Sequence, residues 1–148
     1  MININTQADN KGNNPFCDLV KKGTKTQWRE TIDTKRRVRS GMDHPDLSVG
    51  YRAKVGDDTY IVITGIRYER LQNISEADAI AEGVECIGLD PMLGHYGGLL
   101  YKDYSKPEWG CWTAKDSFKS LVIATHGLGF WEKNHWVWVI SFKTEKRG

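Results

Sequence analysis

The chain has 148 residues, 39% of them hydrophobic and 27% charged, a balance that fits one ordinary domain able to bury a core without disulfide or metal staples. No apolar run approaches the ~20 residues of a membrane-spanning helix, and residues 1–14 lack both the basic start and the apolar stretch of a secretory signal. The net charge of +2 hides an uneven distribution, because eight basic residues between Lys21 and Arg39 face only Glu30 and Asp33 and leave the rest of the chain net acidic.

Residues 1–14, polar and rich in Asn, are expected to form a flexible tail, and residues 15–148 a single domain. Pro15–Lys22 has apolar residues at 16, 19 and 20, a proline suited to a first helical turn, and Gly23 where a C-terminal cap belongs; it predicts a short helix. Thr24–Asp33 reads as extended, followed by a basic loop and a turn-prone stretch, Ser40–Ser48. Gly50–Val55 and Thr59–Glu69 predict two strands joined across Gly56-Asp57-Asp58, the second of them central. Ile74–Val84 predicts a helix of about two turns, opened by Ser75 and Asp78 in capping-box spacing and closed at Gly83.

Cys86–Trp112 is the least periodic region, with Gly88, Gly94, Gly97, Gly98 and Gly110 among Tyr96, Tyr101, Tyr104, Trp109 and Trp112. Long glycine-rich segments with aromatics tend to be binding loops. Thr113 and Asp116 repeat the capping-box spacing ahead of Phe118, Leu121 and Val122, which predicts a second helix ending at His126-Gly127. His135–Lys143 alternates Trp136, Trp138, Ile140 and Phe142 with Val137, Val139 and Ser141, a strand buried on at least one face. The sum is one α+β unit with strands predominating.

Cys17, Cys86 and Cys111 are too few and too far apart for a disulfide framework or a C-x-x-C site, so reduced thiols are expected. His44, His95, His126 and His135 show no ligand spacing, Asp43, His44 and Asp46 read as ordinary loop residues, and neither a metal nor a cofactor is implied. The basic residues Lys35, Arg36, Arg37 and Arg39, with Lys25 and Arg29, are candidates to hold phosphate; the competing reading is a solvated loop.

Three stretches carry a family resemblance. Gly23-Thr24-Lys25-Thr26-Gln27, after the short helix, resembles the motif that opens ASCH domains: a glycine, a lysine two positions on, then polar and basic residues. Arg67–Val84 is similar to the strand-to-helix segment of phage and prophage ASCH proteins, and Asn134–Lys143 to their closing strand. The resemblance implies a small PUA-like mixed β-barrel with flanking short helices and a basic cleft, in a cytoplasmic protein (the host's cytoplasm if phage-encoded) whose ligand is RNA or a modified nucleoside. Some members of the family hydrolyse N4-acetylcytidine with a lysine, a threonine and a glutamate. Lys25 matches that lysine and Glu82 that glutamate, while Trp28 stands at the place of the threonine and Glu30 at that of a following arginine, with Arg29 one position earlier.

Indole offers no nucleophile, whereas amide hydrolysis by a covalent route needs an activatable hydroxyl or thiol beside its base. Thr26 would share the side of an extended strand with Trp28 and is the stand-in, or Glu82 activates water with Lys25 stabilising the oxyanion. In a binding module Trp28, with Tyr96 or Trp109, would instead stack on a base; its rival role is in the core. A third reading is a phage accessory protein that binds a host protein through residues 86–112. The oligomeric state is not legible in the sequence.

Overall fold

The computed structural model describes residues 19–20, 22–32, 44, 46–56, 58–89 and 98–146. The expected helix over Pro15–Lys22 falls mostly outside them, but Leu19 and Val20 are helical, and Gly23, at φ 73°, caps them. Its N–H bonds to the Val20 carbonyl at 3.0 Å and that of Thr24 to the Leu19 carbonyl at 3.0 Å.

One antiparallel sheet organises the fold. Its strands are β1 (Gln27–Thr31), β2 (Arg52–Lys54), β3 (Thr59–Arg70) and, last in the chain, β7 (Trp136–Lys146), in the spatial order β1-β7-β3-β2. The alternation on β7 divides the interior in two. Val137 and Val139 pack with Leu71, Ala79, Phe118 and Val122 under the helices, while Trp138, Ile140 and Phe142 pack on the other face with Trp28, Ile61 and Ile63. A register shift between Ile63 and Gly65 keeps β3 in step with β7 along its whole length.

Both helices with capping-box spacing are present. In α1 (Glu76–Ala81) the Ser75 hydroxyl accepts from the Asp78 N–H, and in α2 (Ala114–His126) the Thr113 hydroxyl accepts from the Asp116 N–H. The two helices are joined by Glu76, whose carboxylate accepts from the backbone N–H groups of Ala114 and Lys115 at 2.9 and 2.8 Å, a negative charge on the positive end of α2. A further short helix, α3 (Leu128–Glu132), follows Gly127.

Two expectations are corrected. The aperiodic stretch Cys86–Trp112 is not one long loop. It contributes β4 (Cys86–Leu89), β5 (Leu99–Lys102) and β6 (Gly110–Cys111), which pair among themselves as a second antiparallel sheet. The strands do not close into a barrel among the described residues, because this small sheet pairs with no strand of the first and β2 accompanies β3 only as far as Val62. The architecture is α+β with two antiparallel sheets and short helices. Among the described residues, no helix is long and apolar enough to cross a membrane.

Candidate functional site

The segment after Gly23 runs in extended form, so its side chains alternate: Lys25, Gln27 and Arg29 face α1, and Trp28 and Glu30 face away. A backbone bond of 2.8 Å from the Thr26 N–H to the Ala81 carbonyl ties this segment to the end of α1. Gly83, at φ 92°, lets the chain pass directly over Lys25. A Cβ there would lie 3.2 Å from the Lys25 Cβ, so a side chain at 83 would suffer both a strained backbone and a crowded neighbour.

Lys25 and Glu82, 57 residues apart, are thereby both sealed from solvent and bonded to each other. The ammonium donates to the Glu82 carboxylate Oε2 at 2.9 Å and to its main-chain carbonyl at 2.9 Å. A carboxylate is poorly placed at a helix C-terminus, and the cation against it offsets that penalty. Arg29, also fully buried, completes the pairing: Nη1 donates to Glu82 Oε1 at 2.9 Å and to Gln27 Oε1 at 2.6 Å, and Nη2 to Glu69 Oε1 at 2.6 Å and Asp78 Oδ2 at 3.4 Å. The network reaches solvent at Arg67, whose Nη1 donates to Glu69 Oε2 at 2.7 Å and whose Nη2 donates to Asp78 Oδ2. Gln27 Nε2 bridges Asp78 Oδ1 at 3.4 Å and the Ser141 hydroxyl at 3.2 Å.

Three cations, Lys25, Arg29 and Arg67, thus meet three carboxylates, Glu69, Asp78 and Glu82, and the charge that Lys25 and Arg29 were expected to lend a basic cleft is neutralised from within. One donor is left over. Arg29 Nε is buried and has no acceptor among the described residues, and an unmet buried donor costs about 1–3 kcal/mol.

Burial pushes the Lys25 pKa down from the ordinary 10.5, against the pull of Glu82, with the Arg29 charge adding to the lowering. The unfolded lysine therefore holds its proton at pH values where the folded one has begun to release it, and stability gains as pH rises from the folded value towards 10.5. We expect Lys25→Met to lack this gain. Urea midpoints of parent and variant, followed from pH 7 upward, should diverge as alkali is added; parallel curves would show that Lys25 titrates normally.

The remaining sequence candidates are sorted by the same geometry. Thr26 is exposed while the Lys25–Glu82 pair is sealed, so its hydroxyl cannot serve as that pair's nucleophile in this arrangement. Trp28 is 7% exposed, with its ring centroid 5.3 Å from that of Phe142 and its Nε1 donating to Glu30 Oε1 at 2.8 Å. It is a core residue and presents no ring face to a base. Lys25 and Arg29 are engaged by carboxylates in the interior and are not surface phosphate ligands. Lys35, Arg36, Arg37, Arg39 and Tyr96 lie outside the described residues. Trp109 is exposed beside β6.

Sequence reasoning missed Gln27, Arg67, Glu69, Asp78 and Ser141. The period-two spacing of 25, 27 and 29 was the available signal for Gln27, and Asp78 was noticed only as a cap partner. Among the described residues, no group of three or more His, Cys, Asp or Glu side chains could hold a metal ion. No protein-family model, no curated protein and no solved structure matches the chain.

Proposed function

We propose that this chain is a PUA-like ASCH domain that recognises the base of a modified nucleoside, free or within RNA, at the network around Glu82. The observation that carries the reading is the buried Lys25–Glu82–Arg29 constellation, which joins the two segments that the family resemblance pairs in one pocket. Buried ion pairs are weak contributors to stability once desolvation is counted, so a six-membered charged network needs a reason beyond folding. Its chemistry suits an uncharged, strongly hydrogen-bonding ligand. The net charge is balanced, and the partly exposed Asp78 and Arg67 supply an acceptor and donors toward the solvent side.

One observation favours the second reading, an amidohydrolase acting on N4-acetylcytidine-like nucleosides. The buried Lys25–Glu82 pair matches the acid–base couple of that chemistry, in which water adds to the acetyl carbonyl and the C–N bond breaks, its nitrogen taking a proton, to give acetate and cytidine; because the pair is sealed, water and substrate reach it only when its cover opens. Against it stand the indole of Trp28 at the place of the threonine and the exposure of Thr26. The third reading, a host-protein contact through 86–112, draws on the exposed Trp109 and Trp112 beside the small sheet.

The test is to titrate the protein with a panel of modified cytidines and uridines by calorimetry while following each nucleoside by chromatography. Retention without chemical change is expected, weakened about tenfold or more by Asp78→Asn or Arg67→Gln, as loss of a charge-assisted hydrogen bond predicts. Release of cytidine from the acetylated nucleoside, abolished by Glu82→Gln, would establish the hydrolase instead. If no nucleoside binds at all, both readings fall.

A further inference from the structure

The sheet face turned away from α1 and α2 carries a separate arrangement of charge and aromatic surface. Two cross-strand rows cross it. In one, Glu30 of β1, Trp138 of β7 and Tyr68 of β3 lie side by side; in the next, Trp136 of β7 pairs with Arg70 of β3, and the Ile32 N–H bonds to the Trp136 carbonyl at 3.2 Å. Trp138 is fully buried, with His44 at 5.3 Å between ring centroids and the edge of Tyr68 at 6.2 Å. Tyr68 and Trp136 remain 41% and 44% exposed, their centroids 5.7 Å apart and their planes at 59°. The Arg70 guanidinium lies over the Trp136 ring, its carbon 4.6 Å from the centroid, and its Nη1 donates to the Asn134 carbonyl at 3.2 Å.

The two rows leave a positive charge exposed. Their carboxylate, Glu30, is used internally: Oε1 accepts from Trp28 Nε1, and Oε2 lies 3.1 Å from His44 Nε2. His44 Nδ1 accepts from the Asp46 and Leu47 N–H groups at 3.1 and 3.0 Å, so in the neutral ring the proton sits on Nε2 and is donated to Glu30. Arg70 is left as the exposed charge of the two rows. Exposed rings with an arginine beside them stack on unpaired bases, and the arginine's charge draws the phosphates; a duplex keeps its base faces hidden and cannot use the rings.

We infer that Tyr68, Arg70 and Trp136 form a stacking site for the unpaired bases of a single-stranded nucleic acid. The site is distinct from the network around Glu82, on the opposite face of the same sheet, and stands whether or not that network binds a nucleoside. Alternation along β3 sends Arg67 and Glu69, opposite Val139 and Val137, to one side and Tyr68 and Arg70, opposite Trp138 and Trp136, to the other.

The experiment is fluorescence anisotropy with a short labelled oligouridine, an oligothymidine and an RNA hairpin duplex, using the parent chain and the variants Tyr68→Ala, Trp136→Ala and Arg70→Gln, each checked for fold by circular dichroism. The parent should bind single strands in preference to the duplex, with affinity falling as salt rises. Loss of either ring should weaken binding by roughly fivefold to a hundredfold. A preference for oligouridine over oligothymidine identifies RNA as the ligand, and equal binding identifies single strands of either sugar; both support the site. Should Trp136→Ala fail to fold, Arg70→Gln, which changes an exposed side chain, still decides the matter. A parent that ignores single strands, or folded variants that bind as the parent does, overturns the inference and leaves a protein partner as the occupant of this face.

Discussion

Replacing Glu82 with leucine is expected to lower the unfolding free energy by about 3–5 kcal/mol, the usual penalty for stranding buried charge. The reason is specific to this network. Glu82 is the carboxylate shared by two fully buried cations, accepting from Lys25 at Oε2 and from Arg29 at Oε1. Arg29 keeps Glu69 and Asp78, but Lys25 loses the carboxylate to which its ammonium is bonded. The companion variant replaces Lys25 and Arg29 with methionine and Glu82 with leucine together. It should recover much of the loss, because hydrophobic groups of similar volume avoid the desolvation of three charges. Urea unfolding of the parent, single and triple variants measures both effects. A single variant within about 1 kcal/mol of the parent would mean that the network carries far less than its geometry indicates.

Trp28→Ala is the second large effect, expected at about 3–5 kcal/mol from the lost ring and the cavity it leaves. The indole packs against Phe142 in the cluster that also holds Ile61, Ile63, Trp138 and Ile140, and its Nε1 holds Glu30 in place beside His44. The same substitution separates two roles for this residue. As a core side chain it should lower the thermal midpoint without changing the nucleoside affinity of the folded fraction; as a stacking platform it should do the reverse. Thermal unfolding and calorimetric titration on one preparation distinguish them.

The parts of the fold that announce themselves in sequence are those with local chemistry. Ser75 with Asp78, Thr113 with Asp116, and Gly83 and Gly127 fix helix ends through bonds made within a few residues, and these are where the sequence predicts them. Strand β7 is legible because Val137 and Val139 alternate with Trp138, Ile140 and Phe142. The small sheet is not, because β4 is exposed at all of its positions and β6 is two residues long, leaving no alternation to read.

The site divides in the same way. Lys25 and Glu82 were visible through a family resemblance, but their partners were not, since Arg67, Glu69 and Asp78 join the network only when α1 and β3 come to rest beside β1. The stacking role given to Trp28 was avoidable. An odd spacing from Lys25 along an extended strand sends the two side chains to opposite faces, and that parity was already present in the sequence.

The order of strands across the main sheet has a consequence for how the molecule is made. Strand β7 lies between β1 and β3, so β1 must wait for the residues of Trp136–Lys146 before it has a neighbour, with Gln27 bonding to Ser141 across a separation of 114 residues. Closing so long a stretch of chain early is entropically unfavourable, and folds dominated by distant partners reach the native state slowly. During synthesis β1 therefore has no strand beside it until the last strand emerges.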